Sequence, residues 1–500
     1  MPNIISPGGS QPGFEVPLEP TAPLLADGLV RARPSSVGVD ADEVMSFLDA
    51  VEGNGLDLHS IMLHRHGRVV VEGWHAPYRA DRPRMLHSTT KSFTACGVGL
   101  AIDQGYFGLS DKVVSFFPDQ LPDIVSDNLA AMTVEDLLTM RTGQESGTSG
   151  AVWRSLDSSW IAEFFKIPVM HAPGSTYVYT SAASYMLSAI VSRTTGQTLH
   201  EYLKPRLFEP LGIRGETWDL GPDGVNPGGN GLTARTADLL KLGILHAQGG
   251  IWDGKRILPD HWVMASTRPQ GGQGESRYGY HWVMRPRGAF SALGVFVQAV
   301  IVFRDECAAL AITGAMENSQ ALFPHVERHF PKAFSMGGGG HEADARLQDR
   351  LAAWQSPRDV GNAGSELAAK ISGVHYAMDA NPMGVTHLRV DLRDDRCIFE
   401  LRDAQGMYVV TAGLGRWIEG HTDMPGSDLH HGYRLRGASV VASAGWTDDR
   451  TLEMTWIFVE TAFRDRVVCR FEGEAIRFKR SVNINMGLRE HPEVSGVAVR

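Results

Sequence analysis

The chain has 500 residues, 43% hydrophobic and 21% charged, an ordinary globular composition with length enough for two or three domains. Its formal net charge is −10, with both signs scattered and no basic stripe, which excludes nucleic acid and anionic membrane surfaces as expected partners. The four cysteines, Cys96, Cys307, Cys397 and Cys469, are far apart in apolar segments and read as buried thiols, not as a disulfide framework or a zinc site.

Met1 to about Arg33 is rich in Pro and Gly and lacks the basic start and apolar core of a secretory signal, so residues 1–35 read as an irregular arm. No run approaches the ~18 apolar residues of a membrane span, and a cytoplasmic protein is the expectation. Asp40-Ala41-Asp42-Glu43 is a capping-box-like start to an amphipathic helix ending near Gly53. Ser60 to Trp74 gives two apolar runs about His66-Gly67, a β-hairpin. His64 and His66 flank an arginine at that turn and read as solvated loop residues, so no metal is expected there.

The chain is organised around Met85 to Gly105. After Ser88 the residues are small or apolar, acid and amide come only at Asp103 and Gln104, and Gly105 stands where a left-handed residue ends a helix. A helix so poor in charge packs on most of its faces. Ser88 and Lys91 share one side of its first turn, where unpaired backbone N–H groups favour developing negative charge. A lysine removes a serine proton only if burial leaves it neutral, and Lys91 is the only charge from Ser88 to Ile102. Ser-x-x-Lys alone is loose, and a chain this long holds about one copy by chance.

Thr133 to Gly143 reads as a short helix capped at both ends, and Gln144 to Ala151, mostly Gly, Ser and Thr, as a mobile loop. Trp153 and Trp160 are candidates to stack on a substrate, with core packing as the plainer reading. Pro173-Gly174 precede Tyr179-Thr180-Ser181, a turn running into a helix from Ala182 to Arg193 with Ser181 as its cap. Tyr179 so placed is a candidate acid or base. Gly215 to Gly231 is long enough to shape a pocket, Gly228 to Thr233 reads as flexible, and Thr236 to Gln248 as an amphipathic helix. No Gly-x-Gly-x-x-Gly or Gly-x-Ser-x-Gly signature is present.

Four segments in this order carry a resemblance: Ser88-Thr89-Thr90-Lys91, Leu137 to Gly143, Pro173-Gly174 before Tyr179-Thr180-Ser181, and Arg206 to Ile213. Over roughly residues 35 to 335 the chain resembles the serine β-lactamase and penicillin-binding-protein-like superfamily, in its class C-like branch of family VIII carboxylesterases, D-aminopeptidases and 6-aminohexanoate-dimer hydrolases. The resemblance implies Ser88 as acylated nucleophile, Lys91 as its proton partner, and Tyr179 as the group that protonates the leaving group and later activates water. Ser181 replaces the usual asparagine and would contact substrate or Lys91. The third motif falls on Ser291 to Gln298, where Ala292 stands in place of Lys or His. That loss counts against β-lactamase or cell-wall peptidase activity, while the N–H groups of Ser88 and Val295, beside Gly294, would still form an oxyanion hole.

Beyond the glycine-rich run Phe334 to His341 and a helix from Ala343 to Trp354, the period changes to alternation. His387–Arg393, 397–402, 433–441, 452–459 and 467–471 read as strands of an antiparallel sheet or small barrel, and His430-His431 as a loop pair. The expectation is an α+β fold: a β-lactamase-like antiparallel sheet flanked by helices with a helical subdomain (36–335), a linker and helix (336–372), and a C-terminal antiparallel β domain (373–500). That last part would cover the first domain or serve subunit contact, so a homo-oligomer is compatible with it. The expected function is hydrolysis of ester or amide bonds of small substrates through a Ser88 acyl-enzyme, with no metal or organic cofactor. Trp153, Ser181, Gly294 and Val295 would bind substrate or its oxyanion. Peptidase or amidase action on short linear or D-residue peptides, acyl transfer, and a catalytically silent binding scaffold are the alternatives.

Overall fold

A computed structural model describes residues 14–15, 27–270, 278–334, 340–354, 361–362 and 364–499. The chain divides into two units, Ala22–Trp354 and Gln355–Arg500, with the N-terminal residues joining the second. The expected irregular arm lies largely outside the described residues; within it Phe14–Glu15 form a short strand paired with Glu419 and Ile418. No described helix is long and apolar enough to cross a membrane.

The first unit opens with helix α1 (Ala41–Gly53), whose first turn is capped by the Asp40 carboxylate accepting from the N–H groups of Asp42 and Glu43. Its buried residues Ala41, Val44, Phe47, Leu48 and Val51 recur at helical spacing and define one face. The hairpin follows as β1 (Leu58–Arg65) and β2 (Arg68–Trp74). His66 and Gly67 take φ of 47° and 79°, the pair of positive angles that a two-residue hairpin with matching twist requires. His64 departs from expectation. It lies inside β1 rather than in the turn, is buried, and is held neutral as burial pushes its pKa down to about 4.

β3 (Val283–Met284), β4 (Phe290–Gly294), β5 (Gln298–Phe303) and β6 (Ala308–Gly314) complete a six-stranded antiparallel sheet in the order β2-β1-β6-β5-β4-β3. Every residue of β5 and β6 is buried, because helices cover both faces. Alternation divides β5 between two cores: Ala299, Ile301 and Phe303 join α1 and helix Phe323–Ala333, whereas Val300 and Val302 join the larger helical side.

That larger side contains α2 (Thr90–Asp103), α3 (Ser181–Thr195) and α4 (Thr236–Ala247). The expected amphipathic character of α4 is not found, since every residue from Thr236 to His246 is buried. Its polar groups are satisfied internally: Arg235 pairs with Asp238, and Lys241 Nζ donates to the Gly212 carbonyl at 3.0 Å. The helix Gly340–Ala352, expected within a linker, instead packs in the first unit. Arg350 pairs with Asp49 and Glu52 of α1, and a Cβ at Gly73 of β2 would come within 2.8 Å of Leu351. The glycine run before it, 335–339, lies outside the described residues.

The second unit is a closed barrel of β7 (His375–Met378), β8 (His387–Arg393), β9 (Arg396–Arg402), β10 (Met407–Leu414), β12 (Ala438–Asp448), β13 (Thr451–Phe458), β14 (Arg464–Glu472), β15 (Ala475–Val482) and β16 (Val494–Ala498), with β11 (Ile418–Thr422) added outside along β12. Nine strands cannot close with every neighbour antiparallel. One pair must run parallel, and it is β10 with β12, through Gly413↔Ser443 and Leu414↔Ala444. Rings from non-adjacent strands meet inside: Phe399 lies 5.3 Å from Trp456 and 5.7 Å from Phe478, centroid to centroid. Side chains therefore fill the barrel at this level, as expected near eight strands.

Also buried here is an ion cluster. Arg480 Nε donates to Asp465 Oδ2 at 2.7 Å, and His430 Nε2 lies 2.8 Å from Asp465 Oδ1. His430, expected in a loop pair, does lie in a turn, but its side chain is committed to the interior. Burial alone would raise the Asp465 carboxyl, but Arg480 and His430 outweigh it and hold it below its usual range. Its contribution to stability is therefore present above the unfolded carboxylate value of about 4 and is lost as pH falls through the lower folded one. Asp465→Asn leaves Arg480 buried without its counter-ion and is expected to destabilise this unit by about 3–5 kcal/mol. Urea unfolding followed at the barrel tryptophans measures this, and a loss below about 1 kcal/mol would contradict the pairing argument.

Candidate active site

From Arg84 to Ala101 every residue is buried except Ser88, which is partly open to solvent. Ser88 sits in a single 3-10 turn, His87–Thr89, that feeds α2. The close packing has a sequence cause. A Cβ at Gly97 would lie 2.5 Å from Leu199, and one at Gly99 2.4 Å from the Trp262 ring. Small residues let these neighbours reach the α2 backbone, so the helix has no solvent face on which to place charge.

Lys91 is 2% exposed. Its Nζ lies 3.1 Å from Ser88 Oγ, 3.2 Å from Ser181 Oγ and 2.9 Å from the Gly229 carbonyl oxygen, and 4.8 Å from the centre of the Tyr179 ring. Ser88, Lys91, Tyr179 and Ser181 are therefore one cluster. Ser181 is not the cap of α3, as expected, but its first residue; Thr180 holds the cap position. The Thr180 hydroxyl accepts from the Thr148 N–H, leaving the Ser181 hydroxyl directed at Lys91.

Two segments expected to be mobile are fixed. The loop from Gln144 is bound along the Tyr179 segment: Ser181 N–H donates to Thr148 O at 2.9 Å, and Gln144 is fully buried and bridged to Val169. A Cβ at Gly147 would fall 1.9 Å from the Tyr179 carbonyl, so only glycine permits that approach. Gly228 to Thr233, expected as flexible scaffold, is almost wholly buried against α2 and α3. A Cβ at Gly228 would meet Ser184 O at 2.1 Å, and one at Gly229 would meet Lys91 Nζ at 3.3 Å. The consecutive glycines were the available signal, and close backbone approach rather than freedom is what they provide.

Trp153 does not reach the cluster. It is 3% exposed and packs its ring on Trp160 and Tyr185 at 5.6 and 5.9 Å, in the core. Gly294, at the end of β4, does approach it: a Cβ there would lie 2.3 Å from Leu86 O and 3.2 Å from His87 Cβ. Val295 follows directly and is partly exposed, like Ser88. Ala292, at the place of the family cation, is buried.

Tyr278 and His281 were not singled out in the sequence. Tyr278 presents its ring edge-on to Tyr179 at 6.3 Å, and His281 lies with Nδ1 3.4 Å from the Tyr278 hydroxyl and Nε2 3.1 Å from Ser184 Oγ. Burial, reinforced by the nearby Lys91 charge, pushes the His281 pKa down to about 3, so it is a neutral hydrogen-bonding group. The aromatic density of Tyr278-Gly279-Tyr280-His281-Trp282 was the signal for this support. Among the described residues no three His, Cys, Asp or Glu side chains converge so as to hold a metal ion.

Comparison with known proteins places the chain in a family. The chain is 25% identical over 218 residues to a 6-aminohexanoate-dimer hydrolase of Paenarthrobacter ureafaciens, covering 41% of this chain and 55% of the relative. It is 25% identical over 209 residues to the esterase EstB of Burkholderia gladioli, covering 36% and 53%. The chain thus spans about half the length of the curated relatives it matches. Among solved structures, a hydrolase with promiscuous acyltransferase activity, EstCE1, superposes with a TM-score of 0.50 at 15% identity, over 60% of this chain and 99% of that one. A β-lactamase-like protein from Bacteroides dorei gives 0.50 at 14%, over 59% and 99%. These likenesses are of fold. The family model described as Beta-lactamase matches residues 59–321, more than half of the sequence, and the chain belongs to that family.

Proposed function

We propose that the protein is a serine hydrolase that cleaves ester or amide bonds of small substrates through an acyl-enzyme on Ser88. The observation that carries this reading is the set of three contacts at Lys91 Nζ. Gly229 O can only accept a hydrogen bond, so one N–H of Lys91 is always committed to it. In the deprotonated form that the step requires, Lys91 has one N–H left for Ser181 and one lone pair for Ser88. The Ser88 O–H donates to that lone pair, and the oxygen is activated as its proton leaves.

Ser88 Oγ attacks the substrate carbonyl carbon, and the carbonyl oxygen takes the charge. The N–H groups of Ser88 and Val295 receive it as the oxyanion hole, since Gly294 brings its strand against the Ser88 turn. Tyr179, 43% exposed beside Lys91, delivers a proton to the departing alkoxide or amine and takes one from the water that releases the acyl group. Serine at 181 holds Lys91 by a hydroxyl where the family has an amide. With alanine at 292, no side-chain cation at that position selects a substrate carboxylate, which favours neutral acyl groups. The names of the relatives cover both an ester and an amide hydrolase, consistent with this substrate class.

The test is the time course of p-nitrophenyl acetate cleavage. A burst of one p-nitrophenol per chain, followed by slower turnover, is expected; cleavage that Ser88→Ala leaves unchanged would move the nucleophile elsewhere. Gly294→Ala should lower this rate by about 10²-fold, because its Cβ collides with backbone and must displace the strand or the Ser88 turn. A rate within about twofold of wild type would show that strand spacing does not set the geometry. We also assign the chemistry to the first unit, so a chain ending at Trp354 is expected to keep the burst; a folded truncated protein without it would make the barrel part of the site.

A further inference from the structure

The turn that carries Val295 is built against its backbone preference. It joins β4 to β5 in three residues, and Phe296 and Val297 have φ of 65° and 67°. A left-handed backbone crowds Cβ against the carbonyl oxygen and is least tolerated by bulky and β-branched residues. Such a conformation persists where its surroundings over-determine it. Here Val297 O accepts from Gly314 N–H at 2.8 Å, Phe296 O accepts from Met316 N–H at 3.2 Å, and Val297 N–H donates to Gly294 O at 3.2 Å. Both side chains are fully buried, and the Phe296 ring meets His87, the residue before Ser88, edge-on at 5.5 Å.

One buried side chain ties this turn to the segment holding Ser88. Gln298 Nε2 donates to Gly314 O at 3.0 Å, the residue that pins Val297. Gln298 Oε1 accepts from Arg84 Nε at 3.2 Å, and Gln298 main-chain O accepts from the Thr89 hydroxyl. Arg84 Nη2 reaches the same Gly314 O at 3.1 Å. Gln298 is thus bonded to residues on both sides of Ser88 and to the strand beneath the turn. Buried amide and guanidinium groups are costly unless so paired, which makes the connection stiff.

We propose that Gln298, held by Arg84, is a positioning residue that locks the Val295–Val297 turn in its strained form and thereby sets the Val295 N–H against Ser88. This rests on the Ser88 acyl-enzyme reading. Because it acts through the turn, it governs stabilisation of the tetrahedral intermediate and not substrate binding.

The test combines amide hydrogen exchange of peptides spanning 290–300 with acylation by p-nitrophenyl acetate, on the full chain, for wild type, Gln298→Leu, Gln298→Glu and Arg84→Lys. Gln298→Leu is expected to speed exchange in the turn by about tenfold or more and to slow acylation by about 10–100-fold, with KM within about threefold. Gln298→Glu keeps the volume and the acceptor for Arg84 and should recover part of the rate; Arg84→Lys should move both readouts in the same direction, less far. Should Gln298→Leu fail to fold, the two milder variants carry the same comparison. Unchanged turn exchange refutes the lock whatever the chemistry, and a loosened turn with acylation near wild type refutes the positioning role. A wild-type chain that takes no acyl group overturns the Ser88 reading in that arm alone, and the catalytic half of the proposal with it.

Discussion

Ser88→Ala is expected to reduce acyl transfer by about 10⁵–10⁶-fold, the scale seen when a serine nucleophile is removed from an otherwise complete site. The oxyanion donors and Tyr179 would remain, so any residual rate reports their contribution alone. Stability should hardly change. Ser88 is the one partly open residue in its stretch, and Lys91 keeps both Ser181 and Gly229 as partners after its loss. A shift within about 0.5 kcal/mol is therefore expected by urea unfolding. Loss of activity accompanied by a large destabilisation would instead point to a structural role for the hydroxyl.

The second large effect is at Lys91. Lys91→Met keeps an unbranched chain of similar volume but removes the amine, and acylation should fall by about 10²–10⁴-fold. Unlike the serine variant, it should also cost stability, because Gly229 O loses its donor in a buried setting, worth about 1–3 kcal/mol. Tyr179→Phe separates the two consequences. Tyr179 is 43% exposed, and removal of its hydroxyl should slow the reaction by about 10²-fold or more with no comparable loss of stability. Measured together, burst rate and unfolding free energy distinguish these variants. Near-normal acylation in Lys91→Met would remove it as the base.

What was legible in the sequence followed local physics. The charge-poor helix after Ser88, the His66-Gly67 hairpin and the Asp40 and Thr133 caps each depend on a few neighbouring residues, and each is found. His387–Arg393 is a strand as well, but its alternation breaks at Asp391, which is buried and paired with Arg389. What was missed depends on contacts distant in sequence. The glycines at 147, 228 and 229 look like freedom in one dimension and are close approaches in three. Trp153 could face a substrate or the core, and only its packing on Tyr185 decides. β15 is not legible in the sequence although Ile476, Phe478 and Val482 alternate, because the inward position between them holds Arg480, whose partner Asp465 lies on another strand. Helix α4 looks amphipathic in the sequence for the same reason, its buried Lys241 having its acceptor at Gly212.

Of the site, Ser88, Lys91, Tyr179 and Ser181 are legible through their motifs and the resemblance these carry, and the structure gathers the other three around Lys91 Nζ. Gly229, Tyr278 and His281 were not, because their part is played by a carbonyl oxygen, a ring edge and a neutral imidazole, none of which leaves a charge pattern in the sequence.

The most direct test is intact-mass analysis after exposure of the wild type and Ser88→Ala in turn to p-nitrophenyl acetate and a fluorophosphonate. One adduct per chain on the wild type, mapped to the peptide containing Ser88 and absent from the variant, is the expected result. An equal adduct on Ser88→Ala, or none on a folded wild type with either reagent, would contradict the acyl-enzyme.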